Sequence, residues 1–314
     1  MTVETEGREG ALVFPRRGKP GPSKMKTVGI IGMGRVGSAL AYTLDRRGYD
    51  IVVVSRRFSP GERAAVQDKQ YRVVTLFQMA EEADLVFIAT PDGVIESIAE
   101  DLAKTAPPGC PKAVFHLSGA HSAELLAPLR EKGVLIGSLH PLQSFANVKQ
   151  AIENLPGSFF TYQGDAALIE EAGSLVEQWG GILKILPSPE SKVIYHAGAC
   201  LVSNYVVALA AMGVCCLGKA GFQEEEARRA LVPLMEGTVN NIAALPLPKA
   251  LTGPISRGDL EVVKAHLQVL EAELPEIRKV YRLLSSFLGE LALKGNNISK
   301  ETYQELAQII KTHN

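Results

Sequence analysis

The sequence is poor in cysteine and in net charge, and each shortage excludes a class of protein. Its four cysteines, in 314 residues, form no Cys-x-x-Cys spacing of a zinc site or redox motif; they are Cys110, Cys200, Cys215 and Cys216. We therefore expect buried, reduced thiols, no bound metal and a cytoplasmic location. A net charge of -1 argues against the basic surface of a nucleic-acid-binding protein, so no nucleic-acid partner is expected.

Residues 1–24 lack the continuous apolar segment of a signal peptide. They are polar and rich in glycine, proline and charge, which predicts a disordered leader before a domain that begins near Met25. A chain of 314 residues is typical of one large domain or two smaller ones, and we expect two.

Residues 193–217 contain no Asp, Glu, Lys or Arg, and the stretch is long enough to cross a bilayer. His196, Ser203, Asn204 and two tyrosines interrupt it, however, and polar groups are unfavourable inside a membrane. We expect a helix buried in a protein core or in a subunit interface, with no membrane partner.

The sequence does contain a glycine pattern in a specific setting. An apolar run at 28–31 is followed by Gly32-x-Gly34-x-x-Gly37, a helical pattern and a second apolar run at 51–54. Strand, glycine turn, helix and strand form the context of a dinucleotide-binding loop, in which the helix N-terminus binds phosphate. We therefore predict cofactor contacts along this loop, at Gly32, Met33, Gly34, Arg35, Val36 and Gly37.

The end of the second predicted strand indicates which dinucleotide binds. Its residues, Ser55, Arg56 and Arg57, include no Asp or Glu to accept a bond from the ribose 2′-hydroxyl of NAD. Two guanidinium groups can instead pair with the 2′-phosphate of NADP. We predict NADP(H) as the cofactor in preference to NAD(H), the alternative being two solvated surface arginines.

The first half of the chain alternates strand and helix patterns. Further strands are predicted at 71–76, 83–89, 112–117, 134–139, 159–162 and 182–186. This alternation predicts an α/β fold, a doubly wound parallel sheet over 25–186, with ligands at the carboxyl ends of its strands. Ser188 is then placed to cap a helix that begins with Pro189, and 187–314 reads as an all-helical second domain.

Residues suited to hydride-transfer chemistry follow the predicted strand ends. Thr90 and Pro91 would meet the cofactor's ribose, while Ser118 and His140 would lie toward its nicotinamide. Hydride transfer to or from a carbonyl needs a proton donor or acceptor; histidine titrates near neutral pH, and a hydroxyl can orient the reacting oxygen. We predict His140 as the acid/base and Ser118 as its helper, the alternative being a histidine that holds a proline turn.

The helical half offers candidate substrate contacts. Lys192 and His196 lie one turn apart on an apolar helix, with Ser203 on the same stripe and Asn204 beside it. Such a polar stripe lines a cavity or meets partners in a core or dimer seam. Arg257, between helices, would reach an anionic substrate or pair with Asp259, which we expect to cap the next helix. We predict substrate contacts at Lys192, His196, Asn204 and Arg257.

Several motifs together resemble a known family. They are Gly32–Gly37, Ala89–Asp92, His140–Phe145, Tyr195–Gly198 with Ser203–Tyr205, and Leu251–Pro254 with Arg257–Asp259. In this order they are similar to bacterial proteins that join a Rossmann-like domain to the domain of unknown function 2520. The resemblance implies an NAD(P)-binding domain and a helical domain akin to the 6-phosphogluconate dehydrogenase C-terminal type, which commonly dimerises, so we expect a homodimer.

The first half is more distantly similar to prephenate dehydrogenase and pyrroline-5-carboxylate reductase. The prephenate dehydrogenase pattern implies a helper serine at Ser118 and a catalytic histidine at His140. This chain departs from that pattern, since Ser144 stands where the family has glycine and His116 only approximates its aspartate, off by one position. Prephenate is therefore not the expected substrate.

The sequence favours an NADP-dependent oxidoreductase acting on a small anionic carbonyl, alcohol or imine compound. One rival is a non-catalytic NADP(H)-binding sensor, which needs no cluster of polar groups, so the separation of His140 and His196 discriminates between them. A second rival is an enzyme of another class, such as an imine or deazaflavin-linked reductase, in which His140 would be dispensable.

Overall fold

The computed structural model describes residues 25–311, and the predicted leader at 1–24 lies outside them. Contacts divide the chain into two compact units, one extending to Ser203 and the other starting at Asn204. This division falls one helix later than the predicted domain boundary at 187. That the first domain binds the cofactor and the second binds the substrate stays a prediction.

Nine strands of the described chain form one sheet in the first unit. They are β1 (Thr27–Ile31), β2 (Asp50–Val54), β3 (Arg63–Val66), β4 (Lys69–Val73), β5 (Leu85–Ile88), β6 (Ala113–His116), β7 (Leu135–Pro141), β8 (Phe159–Gly164) and β9 (Ile182–Ile185). Their order is β3-β4-β2-β1-β5-β6-β7-β8-β9, with antiparallel pairing at β3–β4 and β7–β8 and parallel pairing elsewhere. This topology confirms the predicted doubly wound α/β fold.

Helices cover both faces of this sheet. They are α1 (Arg35–Asp45), α2 (Leu76–Glu82), α3 (Ile95–Thr105), α4 (Ala127–Arg130), α5 (Val148–Asn154) and α6 (Ile169–Gln178); α7 (Pro189–Val202) follows β9. Side chains alternate along each strand, so Phe87 and Phe115 join the core beneath α1, α5 and α6, while Val86 and Val114 join the core beneath α2, α3 and α4. Apolar burial on both faces explains the nearly continuous apolar runs of the central strands.

Three details of the first unit differ from the sequence prediction. The strand predicted at 71–76 ends at Val73, because Thr75 and Gln78 form a capping box that starts α2 at Leu76. Strand β3 was not predicted; it pairs with β4 as a short antiparallel hairpin. His140 lies inside β7 rather than after it, because β8 pairs with β7 as far as Pro141.

The second unit is helical. Its helices are α8 (Asn204–Lys219), α9 (Glu224–Ala244), α10 (Leu247–Ala250), α11 (Pro254–Arg257), α12 (Leu260–Glu273), α13 (Pro275–Lys294) and α14 (Lys300–Lys311). A small apolar core forms where α12, α13 and α14 pack, around Val263, Leu267 and Leu306. Asp259 precedes α12 as predicted, but its side chain makes no capping bond within this unit and pairs with Arg257 instead.

The uncharged stretch at 193–217 is not buried in a core, so that part of the prediction is wrong. It is divided between α7 and α8 by a turn at Ser203, and many of its apolar side chains are exposed, among them Ile194 (72%), Val202 (75%) and Val207 (70%). Across the part of the chain that the structure describes, Pro189–Lys219 is the one helical stretch with the length and composition to cross a membrane. The four cysteines are free, and Cys215 is exposed rather than buried.

Candidate active site

The glycine loop lies between β1 and α1, and its backbone geometry explains two of the glycines. Gly32 has a φ of +100°, and a Cβ there would lie 2.8 Å from the Ala89 carbonyl oxygen. A Cβ on Gly37 would lie only 2.0 Å from the carbonyl oxygen of Gly32, so glycine is required for α1 to approach the strand. The tight turn and the close helix packing are those that a dinucleotide-binding loop needs.

Gly34 differs, since a Cβ at this residue would meet no atom within 4 Å among the described residues. It is the N-cap of α1, and in residues 25–311 no side chain caps that helix end. The open space and the uncapped helix start together form a cradle that a phosphate fits. Met33 is buried in the core and Val36 packs against the core, so both side chains anchor the loop on the side of the sheet. Arg35 donates to the Phe145 carbonyl oxygen at 3.3 Å.

The other predicted cofactor residues lie at the ends of β2 and β5. The Ser55 hydroxyl accepts the backbone N–H of Arg57 at 3.2 Å, which orders the turn after β2, and the side chains of Arg56 and Arg57 are exposed. After β5, the Thr90 hydroxyl oxygen is buried and meets no hydrogen-bond partner within the described chain. Pro91 is exposed beside it. A buried hydroxyl without a partner is costly and is readily satisfied by a ligand.

His140, Tyr195 and His196 come together where β7 meets α7. The Nδ1 atom of His140 lies 2.9 Å from the Tyr195 hydroxyl oxygen, and the ring centroids of His140 and His196 are 6.3 Å apart. A Cβ on Gly119 would lie 2.7 Å from His196 Nδ1 and 2.9 Å from His140 Nε2. Both imidazoles therefore pack against the same glycine, and their nitrogens face one small region.

Burial keeps His140 neutral at physiological pH. Burial, followed by the positive charge of Lys192 and the neighbouring imidazoles of His196 and His116, lowers the pKa of His140 to about 3. A neutral imidazole has one N–H donor and one acceptor nitrogen. His140 can therefore accept a proton from an alcohol or donate a hydrogen bond to a carbonyl oxygen, but near pH 7 it does not carry a positive charge.

His116, at the end of β6, is fully buried and its tautomer is fixed by its partners. Nε2 lies 2.9 Å from the Ser122 carbonyl oxygen, so Nε2 carries the hydrogen, while Nδ1 accepts the backbone N–H of Ser118 at 3.1 Å. Burial disfavours the charged form and lowers the pKa of His116 to about 4, and the charge of Lys192 acts in the same direction. His116 therefore orders the loop after β6 as a neutral group.

The Ser118 hydroxyl uses all of its hydrogen-bonding capacity inside the protein. It donates to Asp92 Oδ2 at 2.9 Å and accepts the backbone N–H groups of Ala120 and His121 at 3.2 and 3.1 Å. These contacts hold Asp92, in the turn that follows β5, beside the loop after β6. The role of Ser118 as helper of His140 stays a prediction.

Lys192, on the first turns of α7, is the most unusual group of the site. Its side chain is fully buried, and Nζ has no hydrogen-bond partner anywhere in residues 25–311. Burial lowers its pKa to about 8, an effect that Asp92 partly opposes. The Nδ1 atom of His196 is also buried with no partner in the described chain, while His196 Nε2 lies 3.6 Å from Cys200 Sγ. Polar groups without partners in one cluster indicate a place for a ligand.

The remaining predicted contacts, Asn204 and Arg257, belong to the second unit. Asn204 begins α8 and is exposed. Arg257 is exposed, and its Nε donates to Asp259 Oδ2 at 2.8 Å, which is the alternative role considered from the sequence. Their contact with a substrate stays a prediction.

Sequence reasoning assigned no role in the site to Tyr195, Asp92 or Gly119. Tyr195 lies three residues after Lys192 and just before His196, so helical spacing alone places these residues on adjoining faces of α7. No pattern in the sequence indicates the packing of Gly119, because it depends on where β7 and α7 bring the two imidazoles. A metal was not expected, and over the described range no three His, Cys, Asp or Glu side chains are grouped to hold one.

Comparison with known proteins agrees with this fold. Residues 18–141 match the family model described as a Rossmann-like domain, and 158–287 match the domain of unknown function DUF2520. These matches confirm the resemblance drawn from the motifs: the chain joins a Rossmann-like domain to a DUF2520 domain. Protein TM1727 from Thermotoga maritima has a similar crystal structure, with a TM-score of 0.68 and 24% identity over 86% of this chain and 99% of that one.

Two other relatives are nicotinamide-dependent enzymes. A reductive aminase from Aspergillus terreus, solved with NADPH and ethyl levulinate, has a TM-score of 0.57 and 15% identity over 92% of this chain and 93% of that one. Ketol-acid reductoisomerase (NADP(+)) from Xanthomonas oryzae pv. oryzae is 27% identical over 63% of this chain. The match spans 61% of that enzyme's length. The fold is thus shared with enzymes that use a nicotinamide cofactor.

Proposed function

We propose that this protein is an NADP-dependent oxidoreductase that transfers hydride to or from a small anionic carbonyl, alcohol or imine compound. The observation that carries the proposal is the polar cluster of Lys192, His140 and His196, which belongs to the same compact unit as the glycine loop. The nicotinamide-dependent relatives support the cofactor class.

The residues present fit a bound dinucleotide. The open cradle at Gly34, the uncapped start of α1 and the partnerless hydroxyl of Thr90 are the features that phosphate and ribose groups would satisfy. Arg56 and Arg57 supply positive charge beyond β2, where a 2′-phosphate would be bound, and no carboxylate stands there. Bound NADPH or NADP would supply or accept the hydride.

The protein's own groups would handle the proton and the orientation of the substrate. His140, neutral near pH 7, would accept the proton of an alcohol or hold a carbonyl oxygen through its N–H, with its ring fixed by the hydroxyl of Tyr195. Ser118 would act through Asp92 and the loop after β6, which it holds in place. Lys192 and His196 offer polar atoms that nothing else in the described chain satisfies, and these would contact the substrate.

The rival role of non-catalytic NADP(H) sensor receives no support from the site. A sensor does not need a buried cluster of titratable groups, yet the rings of His140 and His196 lie 6.3 Å apart with Lys192 in electrostatic range of His140. Such a cluster is typical of catalytic sites. Replacement of His140 by alanine should therefore reduce turnover of an identified substrate by about 10²-fold or more. Unchanged turnover would exclude His140 as the acid/base.

We further propose that the protein is a cytoplasmic homodimer. Many apolar side chains of α7 and of α8 are exposed, and a partner copy would cover them. Exposed apolar patches commonly mark protein–protein interfaces. The helical domain type that the motifs resemble commonly dimerises, which supports the same assembly.

The first experiment measures binding of NADPH and NADH by reduced-nicotinamide fluorescence, for the natural protein and for Arg56→Ala. We expect micromolar NADPH binding, much weaker NADH binding, and a loss of about tenfold or more in NADPH affinity in the variant, since a charge-assisted bond contributes about 1.5–3 kcal/mol. Arg47→Ala is the matched control, because Arg47 is exposed and precedes β2 instead of following it. Binding of neither nucleotide would reject the proposal.

A further inference from the structure

The ammonium group of Lys192 is fully buried, and no group of the described chain forms a hydrogen bond with it. An ammonium group removed from water costs several kcal/mol of stability unless it gains a partner. A group with this cost, in a cluster of polar atoms, indicates a ligand that completes it.

The groups around Lys192 determine what charge that ligand carries. His116 and His140 are neutral, since burial lowers both pKa values well below 7. Asp92 is the carboxylate in electrostatic range of Lys192, and it is exposed, with its Oδ2 held by the hydroxyl of Ser118. The cluster therefore has one buried positive charge and one negative charge toward solvent. A single negative charge on the ligand would pair with the ammonium, whereas a second would be repelled by Asp92.

We propose that Lys192 is the carboxylate-binding residue of this site and that the substrate is a monocarboxylate rather than a phosphate ester. This inference deepens the proposed function and rests on it for the identity of the ligand as a substrate. The carboxylate accepts hydrogen bonds from Nζ, and the reacting group of the same molecule is then directed toward the nitrogens of His140 and His196, which face the region beside Gly119. One ammonium and two imidazoles are a suitable donor set for a small acid with an adjacent oxygen or nitrogen group.

The test compares the affinities of three probes, each measured by ligand-observed NMR and titration. Pyruvate carries one negative charge, methyl pyruvate has nearly the same shape without charge, and inorganic phosphate is largely a dianion near pH 7.5. We expect pyruvate to bind at least tenfold more tightly than either of the other probes. Methyl pyruvate or phosphate binding as tightly as pyruvate would overturn the proposal, and so would the absence of pyruvate binding.

Variants assign that preference to Lys192. Lys192→Met keeps the length of the side chain without its charge and should weaken pyruvate binding at least tenfold, while Lys149→Met, at an exposed lysine of α5, should have no effect. Asp92→Asn should bring phosphate affinity closer to that of pyruvate, because it removes the repelling charge. Pyruvate affinity that is unchanged in Lys192→Met would overturn the proposal.

A pH series on the natural protein keeps the test independent of variant folding. Titratable groups facing Lys192 are Asp92, His116 and His140, and the two histidines stay neutral between pH 7 and 9 because burial lowers both pKa values. Lys192 loses its proton as pH rises through about 8, so pyruvate affinity should fall over this interval. A flat profile would contradict the assignment. NADPH binding, measured in parallel, tests the proposed function separately, since its success alongside failed pyruvate binding would reject only the carboxylate inference.

Discussion

Gly119 allows the imidazole rings of His140 and His196 to pack against the backbone after β6. A methyl group there would lie 2.7 Å from His196 Nδ1 and 2.9 Å from His140 Nε2, closer than non-bonded atoms approach. Both imidazoles would therefore have to move, and the bond from His140 to Tyr195 would be strained or lost. The absence of a side chain is thus what brings the two histidines together.

Gly119→Ala should leave the sheet folded but disturb both histidines. We expect turnover of an identified substrate to fall about 10²-fold, because misplacement of a catalytic group by about 1 Å has this effect. NADPH affinity should fall far less than turnover, since the atoms that a Cβ on Gly119 would meet belong to His196 and His140 and not to the glycine loop. The control is Gly109→Ala, where a Cβ would meet nothing within 4 Å among described atoms, although its positive φ adds backbone strain. Normal turnover in Gly119→Ala would contradict the role given to the two rings.

His116 links the site to acid stability. Its folded-state pKa is about 4, compared with 6.5 for an ordinary histidine, so between these values the unfolded chain binds a proton that the folded chain does not. The free energy of unfolding should therefore decrease as pH falls from 6.5 to 4, by an amount on the order of 3 kcal/mol from this residue.

Urea unfolding of His116→Gln at pH 7 and pH 4.5 tests this contribution. The variant should be less stable than the natural protein at pH 7, because it alters two buried hydrogen bonds, but should lose less stability on acidification. His266→Gln, at an exposed histidine, is the control and should retain the full pH dependence. Equal pH dependence in all three proteins would show that His116 is not the group responsible.

At the scale of elements, the glycines of the β1–α1 loop differ in whether packing of the helix on the strand requires them. Gly37 is required for packing, because a Cβ would collide with the Gly32 carbonyl oxygen, whereas Gly34 faces open space with an ordinary φ of −80°. Two neighbouring glycines of one motif therefore serve different purposes.

Alanine at Gly37 should mainly reduce stability, whereas alanine at Gly34 should mainly reduce NADPH binding. Gly37→Ala should destabilise the protein by about 1–3 kcal/mol, as overpacking does, with weaker NADPH binding as a consequence. Gly34→Ala should change stability by less than about 1 kcal/mol but weaken NADPH binding at least tenfold, because its methyl group would enter the phosphate cradle. Thermal unfolding and NADPH titration of both variants measure the difference. Unchanged NADPH affinity in Gly34→Ala would mean that the cradle does not hold the cofactor.

At the scale of the whole molecule, the proposed homodimer would cover the exposed apolar side chains of α7 and α8. Light scattering after size-exclusion chromatography should show a homodimer at micromolar concentration. Val207→Asp, at a side chain that is 70% exposed, should shift the protein toward monomer, because a charge in a dimer seam is desolvated without a partner. Glu261→Lys, a charge change at an exposed position of α12, is the control. A monomer at all concentrations would reject the proposed assembly.

The sequence by itself determined the fold class and the place of the glycine loop between β1 and α1. Apolar runs, glycine spacing and the Ser188–Pro189 helix start are local signals, each determined by residues close together in the chain, and the structure has Ser188 capping α7 as predicted. The positive charge of Arg56 and Arg57 at the end of β2 is likewise evident from the sequence. Hairpin strand β3 was missed because it is short and pairs only at the sheet edge.

Only the tertiary structure decided how the chemistry-bearing residues are used. The sequence predicted Ser118 as the helper of His140 but gave no sign that the turn after β5 places Asp92 within hydrogen-bonding distance of its hydroxyl. Lys192 looked like one polar residue of a helix face, yet packing buries its charge without a partner in the described chain. His140 meets Tyr195 across 55 residues of sequence. Burial and partners depend on contacts between distant segments, and these set the protonation and bonding of each group.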